Sequence, residues 1–553
     1  MTGGHSVRIL NRIRAMAPIP TSYESWSRED LIARLKQLDN QLKQSRQAGS
    51  SKSQKSKNGA PLDFSAHPKR KIALKFCYSG QQYSGLEYQF GPTPLPTVES
   101  VLFSALVHTK LVDPDGGLEG CGWERCGRTD RGVSAAQQVV SLWVRSAIGE
   151  SNSSRKQPEH IEESQVVSNT TAQDPSIGED AGPGLEGDFG AMGDWDEEPT
   201  NNTLPSDKEP TELRYVSSLN HVLPPSIRVL AWSPVSSEFS ARFNCRHRHY
   251  KYFFLGDGLD IEAMRDGARR LEGEHDFRNM CKMDPRKQLS HFTRKIKSAT
   301  ISPVSFAATG LPDNSQSNSN LYVFDLVGTA FLYNQVRHIV ALLFLIGSHL
   351  EQPSIINALM NTDPSNPLPP YKADEPSPPL ILTKPEYQMA DSLPLVLWEC
   401  AYDEKDVNWR IDDLDDTGTG RSDTVSAMIY DYMHTLYARS LIDTTLQSHF
   451  LLAASKHHTP SPRYLPLGAP GTVPIPPGGA FGYPLGGGTY KRGSKYTPVL
   501  DRVRMASADE INERWRTGRG RKQWERRLEK RAAYDTAALE EKCELTPQDD
   551  VDE

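Results

Sequence analysis

Between residues 146 and 210 the chain loses every hydrophobic period, and what flanks this gap limits the fold. Before it, Ile72, Leu74, Phe76 and Tyr78 alternate as in a half-buried strand, and after it Tyr250, Tyr252 and Phe254 do the same. Val139 to Val144 and Leu321 to Val327 also read as strands. Thr97 to Leu111, opening behind Pro96, suits a helix, as do Ile261 to Leu271 and Phe331 to Leu350. Strand, helix and strand recur in both halves without the regular alternation of a doubly wound sheet. The expected class is therefore α+β on an antiparallel sheet.

The gap itself is rich in Ser, Asn, Asp, Glu, Gly and Pro, and is expected to be a disordered insertion over 146–210. Residues 151–210 hold 14 acidic residues against three basic ones, so the net charge of −7 becomes +4 without them. Any nucleic-acid partner must be met by local clusters of charge rather than by the total. Residues 1–70 read as an N-terminal arm. Ser27-x-x-Asp30 opens a short helix over 27–44, with Leu31, Leu35, Leu38 and Leu42 in a stripe, and a basic linker follows. The halves themselves span 71–145 and 211–405. Residues 406–553 form an extension, helical over 425–456 with Met428, Tyr432, Leu436 and Leu441 as apolar points, then a Pro/Gly-rich linker over 459–489. Residues 501–533 carry 11 Lys/Arg against six acids.

Seven scattered cysteines in an odd number argue for reduced thiols. Cys121-x4-Cys126 lacks a second ligand pair, so no metal is expected. The longest apolar run, Ile339 to Ile346, is far short of the ~20 residues of a membrane span. No secretory signal is visible, and the arginines at 8, 12 and 14 read as a basic arm or, more weakly, as an organellar transit peptide.

Cys126-Gly-Arg128-Thr-Asp130-Arg131-Gly132-Val-Ser-Ala135 is the most chemical stretch in the chain. Its arginines favour an ionised Asp130, and a fixed carboxylate is a nucleophile. On local chemistry alone, a loop carboxylate paired with an arginine is the plainer account. Arg337 is the only Asp, Glu, Lys or Arg between Asp325 and Glu351, inside an apolar stretch where an arginine should be paired.

The string GRTDRGVSA resembles the catalytic loop of the TruA family of pseudouridine synthases. Lys71 to Phe76 with Tyr78-x-Gly80 and Tyr83-x-Gly85 is similar to the family's opening strand and loop. Thr93 to Glu99 and the Cys126 form of the motif look like the eukaryotic branch that acts on tRNA positions 38 and 39. Phe239-Ser-Ala-Arg242-Phe243 with Arg248 to Phe253 resembles the second motif, and Gly328 to Arg337 the third. The resemblance implies Asp130 as nucleophile, Arg337 as its ion-pair partner and Tyr250 stacking on the target uridine, with Tyr252 packed below. Arg128 and Arg242 are expected to hold RNA, and Arg242, Arg246, Arg248 and Lys251 to line the cleft. Gly273 to Lys282 resembles a further family stretch, in which His275 and Asp276 are expected in a structural turn.

The implied fold is two ferredoxin-like, RRM-like halves joined into one extended antiparallel sheet, with flanking helices and a central basic cleft. The implied reaction is uridine isomerisation in the anticodon stem-loop of tRNA, without cofactor or metal. A homodimer in nucleus and cytoplasm is expected. The basic composition of 501–533 reads as a solvated charged helix or as an accessory arm touching tRNA phosphates. Synthesis of pseudouridine mainly in mRNA or snRNA, and a catalytically silent tRNA-binding protein on the same scaffold, are the alternatives.

Overall fold

The computed structural model describes residues 62–148, 212–304, 320–412, 421–458 and 481–529. All named elements lie within the unit Phe64–Glu553. The expected helix over 27–44 lies outside the described residues, as does all but the first few residues of the insertion.

The first half runs β1 (Lys69–Tyr78), α1 (Val98–His108), β2 (Glu124–Arg125), β3 (Ser134–Arg145), α2 (Tyr215–Val222) and β4 (Ile227–Pro234). The second runs β5 (His247–Leu255), α3 (Ile261–Arg269), β6 (Gly273–Asp276), β7 (Thr293–Pro303), β8 (Leu321–Gly328), α4 (Gln335–Gly347), α5 (Ile355–Met360) and β9 (Leu395–Ala401). The strands form one sheet in the order β4-β1-β3-β9-β5-β8-β7-β6, with β2 also on β3. Within each half the ladders are antiparallel. The path β4-β1-β3-β2 is the ferredoxin-like order, and β9-β5-β8-β7 repeats it, with β6 added at the edge.

The sheet is antiparallel as expected except where the halves meet, which they do by one parallel pairing. Ser134 and Ala135 of β3 face Val396 and Leu397 of β9. The short β2 makes room for this junction. It occupies β3 only at Val140 and Ser141, so β9 takes the other end of the same edge.

Local chemistry sets these elements. Ile72, Leu74 and Phe76 are fully buried on β1, so the alternation did mark the core face. Thr97 caps α1 in a reciprocal box with Ser100. α4 is buried almost all round, as its unbroken apolar sequence requires. Gly273 to Asp276, expected as a turn, is the edge strand β6, and Asp276 pairs with Arg278 at 2.7 Å. At the root of the insertion, the buried carboxylate of Glu212 accepts from Arg70 Nη1 at 2.8 Å, Ser146 Oγ at 2.7 Å and the Ala147 amide at 2.9 Å.

The extension is helical over Arg421–Ser455 (α6). Tyr432 lies under the Arg228 guanidinium, 4.4 Å away, whereas Leu441, Ile442 and Phe450 are exposed. The expected linker over 459–489 is corrected at its end. Phe481–Gly486 (β10) and Thr489–Gly493 (β11) pair as a hairpin, and Tyr483 is buried. Ala508–Thr517 (α7) follows. Among the described residues no helix is long and apolar enough to cross a membrane, and the six described cysteines are free.

Candidate active site at the junction of the halves

Asp130 sits in the loop that enters β3, beside the parallel junction. The loop is held from behind. Tyr78 and Thr129 share a hydroxyl–hydroxyl bond at 2.5 Å, and the Leu86 amide donates to Thr129 O at 3.2 Å. A Cβ at Gly80 would lie 2.2 Å from Val133 O, so only glycine lets the two loops lie this close. Tyr78-x-Gly80 thus serves the Asp130 loop directly.

From the second half, Asn334 Nδ2 donates to Asp130 Oδ2. Asn334 is buried, at the first turn of α4, with φ of +57°. That conformation suits Asn better than most side chains. Arg337, one turn on, is placed by reciprocal bonds. Its Nε donates to Ala390 O at 2.8 Å, and its carbonyl accepts from the Ala390 amide at 3.1 Å. No direct Arg337–Asp130 ion pair forms among the described residues, which corrects the expected contact. Arg337 acts on Asp130 by charge at longer range. Burial pushes the Asp130 carboxyl above its usual range; Arg337, the Asn334 bond, Lys287 and Lys282 oppose it. Asn334 was not singled out from the sequence. It lay inside the third motif, but only its backbone conformation reveals it.

Tyr250 is centred on the same junction. It pairs with Leu326 on one side and Leu397 on the other, and Leu397 faces Ala135. Its ring meets Phe331 edge-on at 5.0 Å, and it is 9% exposed. Tyr252 is fully buried below, its hydroxyl donating to Asp391 O at 3.1 Å.

Residues 268–403 match the tRNA pseudouridine synthase family. The chain is 36% identical over 410 residues to the tRNA pseudouridine(38/39) synthase of Saccharomyces cerevisiae, covering 71% of this chain and 74% of that protein. This chain belongs to the tRNA pseudouridine synthase family. It is also 36% identical over 395 residues to the enzyme of the same name from Bos taurus, covering 69% of this chain and 68% of that protein. A more distant likeness is to tRNA pseudouridine synthase A of Methanothrix thermoacetophila, at 27% over 299 residues, 54% of this chain and 76% of that protein.

Against that family background, the expected cations are mostly engaged. Arg128 pairs with Glu87 at 2.7 Å, and Glu87 also takes Arg125 at 2.9 Å. Behind them the fully buried Glu99 accepts from Arg125 Nε at 2.5 Å and Trp123 Nε1 at 2.9 Å. Arg246 pairs with Asp403, and Lys251 with Asp325 at 2.6 Å. Arg248 donates to Cys126 O and Thr329 O at 2.8 Å each, and to Arg242 O at 3.2 Å. It is a clasp between the halves of the synthase rather than a free RNA contact. Among the described residues Arg242 is the one of the four expected to line the cleft that shows neither an acidic partner nor a carbonyl accepting from its side chain. It lies 5.2 Å from the ring of Phe243, which is 77% exposed.

Proposed function

We propose that this chain isomerises uridines 38 and 39 of tRNA, the positions named in its relatives. The observation that carries the reading is Asp130. It is a carboxylate held on one oxygen by Asn334, under the charge of Arg337, at the junction of two halves. The target base leaves its stack, at a cost of a few kcal/mol. A transient bond from an Asp130 oxygen to the substrate divides the reaction into two easier steps, and it breaks again as the product forms, which returns the carboxylate. The N1–C1′ bond breaks, the base turns, the C5–C1′ bond forms, and a proton leaves C5 while N1 gains one. Atoms and electrons balance without an oxidant or cofactor.

Arg337 keeps Asp130 ionised and Tyr250 stacks on the base, a contact worth ~1–3 kcal/mol. Arg128 and Arg242 meet the backbone, which positions RNA without reading its sequence. The enzyme works as a homodimer, for which the exposed apolar residues of α6 offer a surface; the sedimentation mass of the purified protein measures this. Asp130→Ala should abolish pseudouridine at positions 38 and 39 while leaving tRNA affinity within about threefold. Normal turnover in that variant removes Asp130 from the chemistry, and a wild-type protein that binds tRNA without turnover establishes the silent alternative.

A further inference from the structure

Tyr333 and Asn334 adjoin in sequence but differ in environment. Asn334 is buried on Asp130, whereas Tyr333 is 37% exposed. Two lysines are gathered over its ring. Lys282 Nζ lies 5.8 Å and Lys287 Nζ 5.2 Å from the centroid. Lys282 is fixed there by its backbone, whose amide donates to Tyr333 O at 2.9 Å. Lys287 ends the single 3-10 turn Pro285–Lys287, which the side chain of Asp284 caps through the Arg286 amide.

Both lysines are exposed, and among the described residues neither forms an ion pair. Two ammonium groups sharing one ring repel each other, and the ring's attraction for each is modest. Asp284, the nearest carboxylate in sequence, is committed to its cap. An anion is what this arrangement lacks. Tyr333 adjoins Asn334, whose side chain bonds Asp130, so an anion over Tyr333 would sit at the rim of the candidate site.

We propose that Lys282 and Lys287, held over Tyr333, bind the RNA phosphodiester flanking the everted nucleotide. The inference rests on the reading of Asp130 as the catalytic centre and adds substrate-positioning residues to it. The same loop is gripped from the C-terminal segment, where Asn512 Nδ2 donates to Leu289 O at 3.1 Å and Arg527 Nη1 to Arg286 O at 2.6 Å. A backbone leaving the lysines therefore meets further cationic surface at Arg286 and Arg527.

The test uses full-length protein and a tRNA anticodon arm. Lys282→Gln, Lys287→Gln and the pair are compared for Kd at several salt concentrations and for single-turnover rate at saturating RNA. Each single change should weaken binding several-fold and the pair about thirtyfold. The log–log salt slope should flatten by roughly 0.7–0.9 per lysine. The loss of affinity should exceed any loss of saturated rate when the rate is read well above the acid limb of the pH–rate profile, and Lys287→Arg should restore binding. Unchanged affinity and slope overturn the proposal. If the rate then falls, the lysines act on Asp130 through charge alone. A wild-type protein whose binding depends on both lysines, yet which makes no pseudouridine, sinks the catalytic reading and leaves the phosphate site standing.

Discussion

At the scale of single residues, Asp130 has two oxygens with unequal surroundings. Asn334 holds Oδ2, so in the proposed reaction Oδ1 is the oxygen that attacks. Asn334→Ala should therefore lower kcat by roughly ten- to a hundredfold with little change in KM, because it removes the bond that orients Asp130. It also has a pH signature. The Asn334 bond lowers a carboxyl that burial raises, so the acid limb of kcat/KM should lie above the ordinary ~3.9 of Asp and should move further up in the variant. An unchanged limb would mean that Asn334 shapes the loop only. The sequence led to Asp130 through the resemblance of its loop, since the glycines and arginines alone left an ordinary ion pair as the plainer account, and to Arg337 through its isolation in an apolar run and the third motif. It could not show that Arg337 turns its Nε to Ala390, because that contact joins segments far apart in the chain.

At the scale of elements, β1, β3, β5, β8, α1, α3 and α4 were legible because their apolar periods are strong, whereas β2, β4, β7, β9, α2 and α5 were not named from the sequence and β6 was read as a turn. The hairpin β10–β11 was not legible either, since Pro484 and Gly486-Gly487-Gly488 mask the alternation of Phe481, Tyr483 and Leu485. Yet the hairpin reaches the site. Leu485 O accepts from the Asp391 amide at 2.7 Å, and Asp391 lies between Ala390, which holds Arg337, and Ser392, whose Oγ would lie 2.6 Å from a Cβ at Gly132 of the Asp130 loop. Gly486 has φ of +89°, and a Cβ there would fall 1.9 Å from the Tyr252 hydroxyl. Gly486→Ala should cost about 2 kcal/mol or more, read as a lower Tm, and should lower kcat through Ala390–Ser392. Tyr252→Phe in the same chain should recover part of both losses, since it removes the atom nearest the new methyl. No recovery would place the strain in the backbone alone.

Over the whole molecule, the division into two halves was readable from the gap between them. Their junction was not, because two parallel residue pairs leave no periodic trace. The gap bears on stability in a definite way. Glu212 binds Arg70, Ser146 and Ala147 together, so the chain leaves and returns at one fastened point. Replacing 149–211 with a short Gly/Ser bridge should leave turnover and Tm nearly unchanged, because loop length enters closure entropy only logarithmically. Glu212→Ala, which strands Arg70 and opens that point, should cost about 3 kcal/mol. A shortened chain that stays folded but loses turnover would assign the insertion a part in catalysis.

The Arg70–Glu212 fastening makes this stretch a mooring. Cargo of another kind, such as a fluorescent reporter or an affinity module, can ride between residues 148 and 212 with its two ends already brought side by side, and the sheet beneath it need not register the exchange.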